Sequence, residues 1–135
     1  MKKPKAIVLD SWAVMAYLED EPAAEGIANT IADAQEEGIP LLMSIVNVGE
    51  VWYIVARRTS PNEADRTIQL LLDIGVRLVD ADWELTKIAA TFKIKGKMSY
   101  ADCYAAALTK QQRAHLLTGD PEFRTIEGDI SIDWQ

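Results

Sequence analysis

The sequence predicts an α/β fold, a three-layer α/β/α sandwich around a mostly parallel sheet of four to five strands. Two observations carry this. Short apolar, often β-branched runs recur along the chain, and longer stretches of helical spacing separate them. Parallel strands need such crossovers, and a sheet covered on both faces shows near-continuous apolar runs instead of alternation.

The elements follow in order. Residues 6–9 (AIVL) form a buried strand, followed by helices over 11–19 and 22–36 that are separated by an acidic run and Pro22. Gly38 is placed to cap the second helix, and Pro40 follows it. Residues 41–44 (LLMS) make a second strand and 45–58 a helix. Ser60-Pro61-Asn62 opens a further helix over 62–74, which Gly75 closes. The third strand is 76–79 (VRLV), and Asp82 caps a helix over 83–94. Ser99 starts the last long helix, to 113, before a fourth strand at 115–118 (HLLT) and a short fifth at 130–132 (ISI).

The 135 residues fit one compact domain, 1–135, and the 49% hydrophobic content supplies a core. No apolar run approaches the ~20 residues that span a bilayer. The apolar run in MKKPKAIVLD is too short for a signal-peptide core, so a cytoplasmic protein is expected. A single cysteine, Cys103, excludes an internal disulfide, and a single histidine, His115, excludes a His-rich metal site. A bound metal is therefore held by oxygen, which favours Mg²⁺, Mn²⁺ or Ca²⁺ over zinc. The net charge of −7 opposes general phosphate binding, which needs a basic surface.

In open parallel sheets, ligands bind beyond the carboxyl ends of the strands. Asp10 directly follows the first strand, and Asp120 comes two residues after the fourth. Asp102 lies in the first turn of the helix that Ser99 opens, and Glu50 lies about two turns into the helix leaving the second strand. Each aspartate has a plain structural reading: Asp10 as a helix cap, Asp102 as half of a capping box with Ser99, Asp120 as a turn former. Glu50 shares its helix face with Val46, Asn47, Tyr53 and Ile54, and a carboxylate on an apolar face needs a partner. Four acids near one edge repel one another and do not all ionise without a cation. The complement is a hard divalent ion, and two such ions ~4 Å apart would clamp the oxygens of a phosphodiester under hydrolysis.

Four stretches now bear on the family: VLDSWAVMAYLEDEP (8–22), SIVNVGEV (44–51), SYADCYAAAL (99–108) and LLTGDPEF (116–123). In order and spacing the chain resembles PIN-domain ribonucleases, and among them the VapC toxins of toxin–antitoxin pairs. The resemblance implies an α/β/α sandwich and an endoribonuclease dependent on Mg²⁺ or Mn²⁺, leaving 5′-phosphate and 3′-hydroxyl ends. It places Asp10, Glu50, Asp102 and Asp120 as catalytic and metal-binding residues. Ser11 and Thr118 match the family's hydroxyl residues and would hydrogen-bond carboxylates or a phosphate oxygen. Asn47 stands where many relatives have threonine, a change expected to tune the site. The resemblance also implies a homodimer and a VapB-type antitoxin that blocks the acidic pocket, with Val14, Tyr17 and Leu18 as candidate exposed contacts.

Lys95 and Lys97, with Lys93 in KIKGK, are candidate RNA contacts, as are Lys2, Lys3, Lys5, Arg57 and Arg58. Trp12, Trp52 and Trp83 lie at apolar helical spacings and read as core or interface, and Cys103 as an inert buried thiol. A haloacid-dehalogenase-type phosphatase needs a second aspartate two positions after the first, where Trp12 stands. A receiver domain's phosphoacceptor pattern and a Gly-rich phosphate loop are also missing. The remaining alternative is a PIN-like module that binds RNA or protein without cutting.

Overall fold

A computed structural model describes residues 3–135. Five strands, β1 (Ile7–Leu9), β2 (Leu41–Ser44), β3 (Val76–Val79), β4 (His115–Thr118) and β5 (Ser131–Trp134), form one sheet in the order β3-β2-β1-β4-β5. Every pairing is parallel. The helices are α1 (Ser11–Leu18), α2 (Ala24–Glu37), α3 (Ile45–Arg58), α4 (Pro61–Asp73), α5 (Trp83–Lys95) and α6 (Tyr100–Gln112). A 3₁₀ helix, Pro121–Ile126, joins β4 to β5.

Alternate residues of each strand feed two apolar layers. Val8, Leu42 and Leu116 pack with Phe92, Leu108 and Phe123 against α5 and α6. Ile7, Leu9, Leu41, Met43 and Leu117 pack with Ile27, Ile31, Val51 and Leu71 on the opposite face. Each large side chain so buried contributes roughly 1.5–3 kcal/mol. Helix α6 lies close to the sheet because Ala105, Ala106 and Ala107 present little bulk, and all three are fully buried. Cys103 beside them is buried too.

The topology chooses the site. From β1 the chain moves outward through β2 to β3, then returns to lay β4 and β5 on the other side of β1. The strand order reverses between β1 and β4, where crossover loops diverge and leave a crevice. Local signals aim the chain there. Asp10 caps α1, Ser44 caps α3 by accepting from the Val46 N–H at 3.2 Å, and Ser99 caps α6. The sheet therefore hands its chain to α1 and α3 at this edge, and α6 starts at the same edge after the loop that follows α5.

Two expectations change. Val14 is buried at 2% exposure, because α1 turns that face onto Ile27 and Ile31, so it is a core residue and not an antitoxin contact. Tyr17 and Leu18 are partly buried and pack against the same layer. Lys2 lies outside the described residues, and Lys3 sits 3.7 Å from Glu37. Among the described residues, no helix is long and apolar enough to cross a membrane.

Candidate metal centre

Asp10 leaves β1 in extended conformation and is fully buried. One carboxylate oxygen accepts the Ala13 N–H at 2.8 Å, capping α1, and the other accepts the Thr118 hydroxyl at 2.6 Å. Burial pushes its pKa from 3.8 to about 7; the nearby Asp120 charge adds to the rise, and these two hydrogen bonds oppose it.

Asp102 is placed by Ser99, whose hydroxyl oxygen accepts the Asp102 N–H at 3.1 Å. Its carboxyl stands in the first turn of α6 and is 8% exposed. Burial pushes its pKa to about 9, reinforced by a hydrogen bond shared with Glu122 and by the charges of Asp120, Asp10 and Glu122. Asp120 follows Gly119 on the turn after β4. Its N–H donates to the Thr118 hydroxyl at 3.1 Å, and its Oδ1 accepts the Glu122 N–H at 2.9 Å, capping the 3₁₀ helix.

That cap brings in a residue the sequence reading missed. Glu122 sits in the first turn of the 3₁₀ helix, and carboxylate oxygens of Asp102, Asp120 and Glu122 lie within 4.8 Å of one another. Its signal was Asp120-Pro121, a capping residue followed by proline at the first helical position, which bends the chain back at once. Glu50 reaches the same place from α3. With Ser11, Trp12, Met15, Ile54, Ser99, Asp102, Asp120 and Glu122 it lines a cavity of about 360 Å³. Glu50 therefore faces this partly open cavity and is not enclosed in an apolar face.

Ser11 and Asn47 do a different task from the one expected. The Ser11 hydroxyl donates to the Asn47 carbonyl at 3.3 Å, and the Asn47 amide nitrogen donates to the Ala101 carbonyl at 3.1 Å. They tie α1, α3 and the start of α6 together, and neither bonds a carboxylate. Asn47 Oδ1 is buried without a partner, a local cost of about 1–3 kcal/mol.

The donor set fits a hard cation. It is all oxygen, it converges, and the ion pairs among the described residues all lie elsewhere. With no lysine or arginine in place, protons or a cation would relieve the repulsion, which adds to the burial that chiefly raises the pKa values of Asp10 and Asp102. Carboxylate and water oxygens suit Mg²⁺ or Mn²⁺.

Comparison with known proteins then identifies the family. The PIN domain family matches residues 7–129. The chain is a member of the PIN domain family. Among solved structures, it is similar to VapBC2 from Rickettsia felis bound to a promoter DNA fragment, at a TM-score of 0.78 and 13% identity over 95% of this chain and 97% of that one. It is similar to Mycobacterium tuberculosis VapC20, described as a sarcin–ricin loop cleaving toxin, at 0.70 and 15% over 93% and 96%. VapBC-1 from nontypeable Haemophilus influenzae matches at 0.73 and 17% over 96% and 97%. At these identities the likeness establishes the fold. Among curated proteins, none matches the chain.

The remaining candidates of this PIN domain lie off the cavity. Lys95 is at the end of α5, 3.4 Å from Asp129 and over the Phe92 ring, and Lys97 is exposed in the next loop. Arg58 pairs with Glu19, and Arg57 lies over the Tyr53 ring. The tryptophans divide. Trp52 donates to Asp65 at 2.9 Å, Trp83 is 71% exposed, and Trp12 lines the acidic cavity. Trp12 is thus a cavity wall and not simply core.

Proposed function

We propose that this PIN domain is a metal-dependent endoribonuclease, the toxin of a VapBC-type pair acting in the cytoplasm. A VapB-type antitoxin and a second copy of the chain are its proposed protein partners. One observation carries the reading: carboxylates from α3, α6 and the turn after β4 line one cavity at the switch point of the sheet, with no lysine or arginine in its lining.

Asp102, Asp120 and Glu122 would hold Mg²⁺ or Mn²⁺. Asp10 has both oxygens hydrogen-bonded already, so it would act on the ion through water while fixing the Thr118–Asp120 turn. Glu50 lines the same cavity, where it would bind the ion or orient the attacking water. The bound ion supplies Lewis acidity, polarising a phosphoryl oxygen and making water acidic enough to deprotonate near neutral pH. The cation also accounts for phosphate binding in a protein of net charge −7. Ser11, at the cavity wall, and Lys95 and Lys97, outside it, would contact the RNA backbone.

The test is to incubate antitoxin-free protein with structured and unstructured RNA in Mg²⁺, Mn²⁺ or EDTA, beside Asp10→Asn. Cleavage that needs metal and is lost in the variant is the expected result. Metal-loaded protein that binds RNA and cuts none would favour the non-cleaving module.

A further inference from the structure

We propose that Trp12, with Met15 and Ile54, forms a stacking subsite for an unpaired nucleobase beside the carboxylates, so that the preferred substrate is RNA whose base next to the cut is unstacked. This deepens the ribonuclease reading and rests on it for the position of the phosphate.

The cavity lining is of two kinds. The carboxylates of Glu50, Asp102, Asp120 and Glu122 and the apolar side chains of Trp12, Met15 and Ile54 together enclose about 360 Å³. No cationic side chain lines it. A phosphate held by a cation belongs with the carboxylates, which leaves the apolar wall for the attached nucleoside. Single-stranded RNA is commonly gripped in this way, with aromatic rings stacking on exposed bases.

Trp12 is held in place for such a task. A Cβ at Gly119 would lie 2.6 Å from Trp12 Cζ2 and 2.8 Å from Cζ3, so the six-membered ring occupies the space that a larger residue would take. Gly119 has no positive φ to explain it, and close approach of the indole is the reason glycine fits here. The ring is thereby wedged against the turn that carries Asp120. Its Nε1–H remains free. Trp52 donates to Asp65, whereas Trp12 has no protein acceptor among the described residues. Nor is that nitrogen a buried orphan, since Asn47 Oδ1 is the sole such atom among them. The indole N–H is therefore open to solvent, and a fixed aromatic with an accessible donor beside the reacting phosphate is suited to a base and its polar edge.

The experiment compares wild type with Trp12→Leu, which keeps apolar bulk without a π face, and Trp12→Phe, which keeps a face. Binding of a single-stranded oligoribonucleotide is measured in Ca²⁺, and cleavage in Mg²⁺. Each is repeated with abasic nucleotides placed singly around the cut. Trp12→Leu is expected to weaken binding about tenfold, the order of one lost stacking contact, with Trp12→Phe near wild type. One abasic position should cost wild type the same factor and cost Trp12→Leu nothing. An equal abasic penalty in both proteins, or unchanged binding in Trp12→Leu, overturns the subsite even if wild type cuts RNA. Base-dependent binding through Trp12 without cleavage keeps the subsite and removes the nuclease. A loss confined to a partner protein, with RNA binding intact, overturns the proposal and reassigns the wall to that partner. Melting curves of both variants separate a loosened Asp120 turn from lost stacking, because a loosened turn would not erase the abasic penalty.

Discussion

The sheet carries a hollow at each end, and the larger one is the less equipped. Toward the amino ends of β1 and β4, Asp33, Glu37, Asp133 and His115 line a cavity of about 420 Å³, against about 360 Å³ at the carboxyl ends. Both hollows contain several acids. At the amino end, Glu37 has Lys3 at 3.7 Å, and Asp33 and Glu37 stand on an exposed helix surface where water screens them. At the carboxyl end, Asp10 and Asp102 are buried, and three carboxylates converge without a lysine or arginine. Size and acid count therefore do not mark a site. Convergence, burial and missing counter-charge do.

The contrast is broken most directly by substitution. Asp102→Asn should lower RNA cleavage by about a hundredfold or more, on the scale of losing a major transition-state interaction, while Asp33→Asn stays within a factor of about two. A gel assay at saturating Mn²⁺ reads both. Equal losses would mean that either hollow, or neither, serves the reaction.

The next effect concerns pH without metal. Asp10 and Asp102 keep their protons to about 7 and about 9 when folded, against 3.8 in the free chain. Between those values the folded state binds more protons than the unfolded one, so stability falls as pH rises. Urea unfolding in EDTA should lose stability steadily from about pH 5 to about pH 8.5, by several kcal/mol in all, and saturating Mg²⁺ should remove much of that loss. A flat or rising profile in EDTA would mean that these carboxyls are not held protonated.

Gly119→Ala sharpens the comparison more locally. The new methyl must displace Trp12 or the Asp120 turn, costing about 1–3 kcal/mol in thermal or denaturant unfolding. An unchanged melting temperature would show that the indole is not wedged there. The smallest effect belongs to the surface: Lys95→Ala with Lys97→Ala should weaken RNA binding a few-fold in low salt and leave the cut position unchanged. A moved cut would give these lysines a part in specificity.

Much of this was legible in the sequence, for identifiable reasons. Strands such as AIVL and HLLT are apolar throughout because both sheet faces are covered, and the helix starts carry their caps at Asp10, Ser60, Asp82 and Ser99. A capping role does not take an aspartate away from this edge. Asp10 and Asp120 cap helix starts through their carboxylates, Asp102 gives Ser99 only its backbone N–H and leaves its carboxyl uncommitted to the cap, and all three lie together because helix starts are where this topology collects its loops. Glu122 was hidden because a single 3₁₀ segment has no periodic pattern, and its position depends on one proline turn. Trp12 and Val14 were misread for a related reason. Apolar spacing shows that a helix has a covered face, but not that Val14 meets the core while Trp12 meets a cavity. Asn47 was expected to tune the site, and only the packing of α3 on α6 shows its amide bonding the Ala101 carbonyl.

The measurement that tests the central claim most directly is calorimetric titration of Mn²⁺ into wild type, Asp102→Asn, Asp120→Asn and Asp33→Asn at about pH 8. Saturable binding in wild type and Asp33→Asn, lost or greatly weakened in the other two, is the predicted result. Equal binding in all four, or none in wild type, would contradict a metal centre at the carboxyl edge of the sheet.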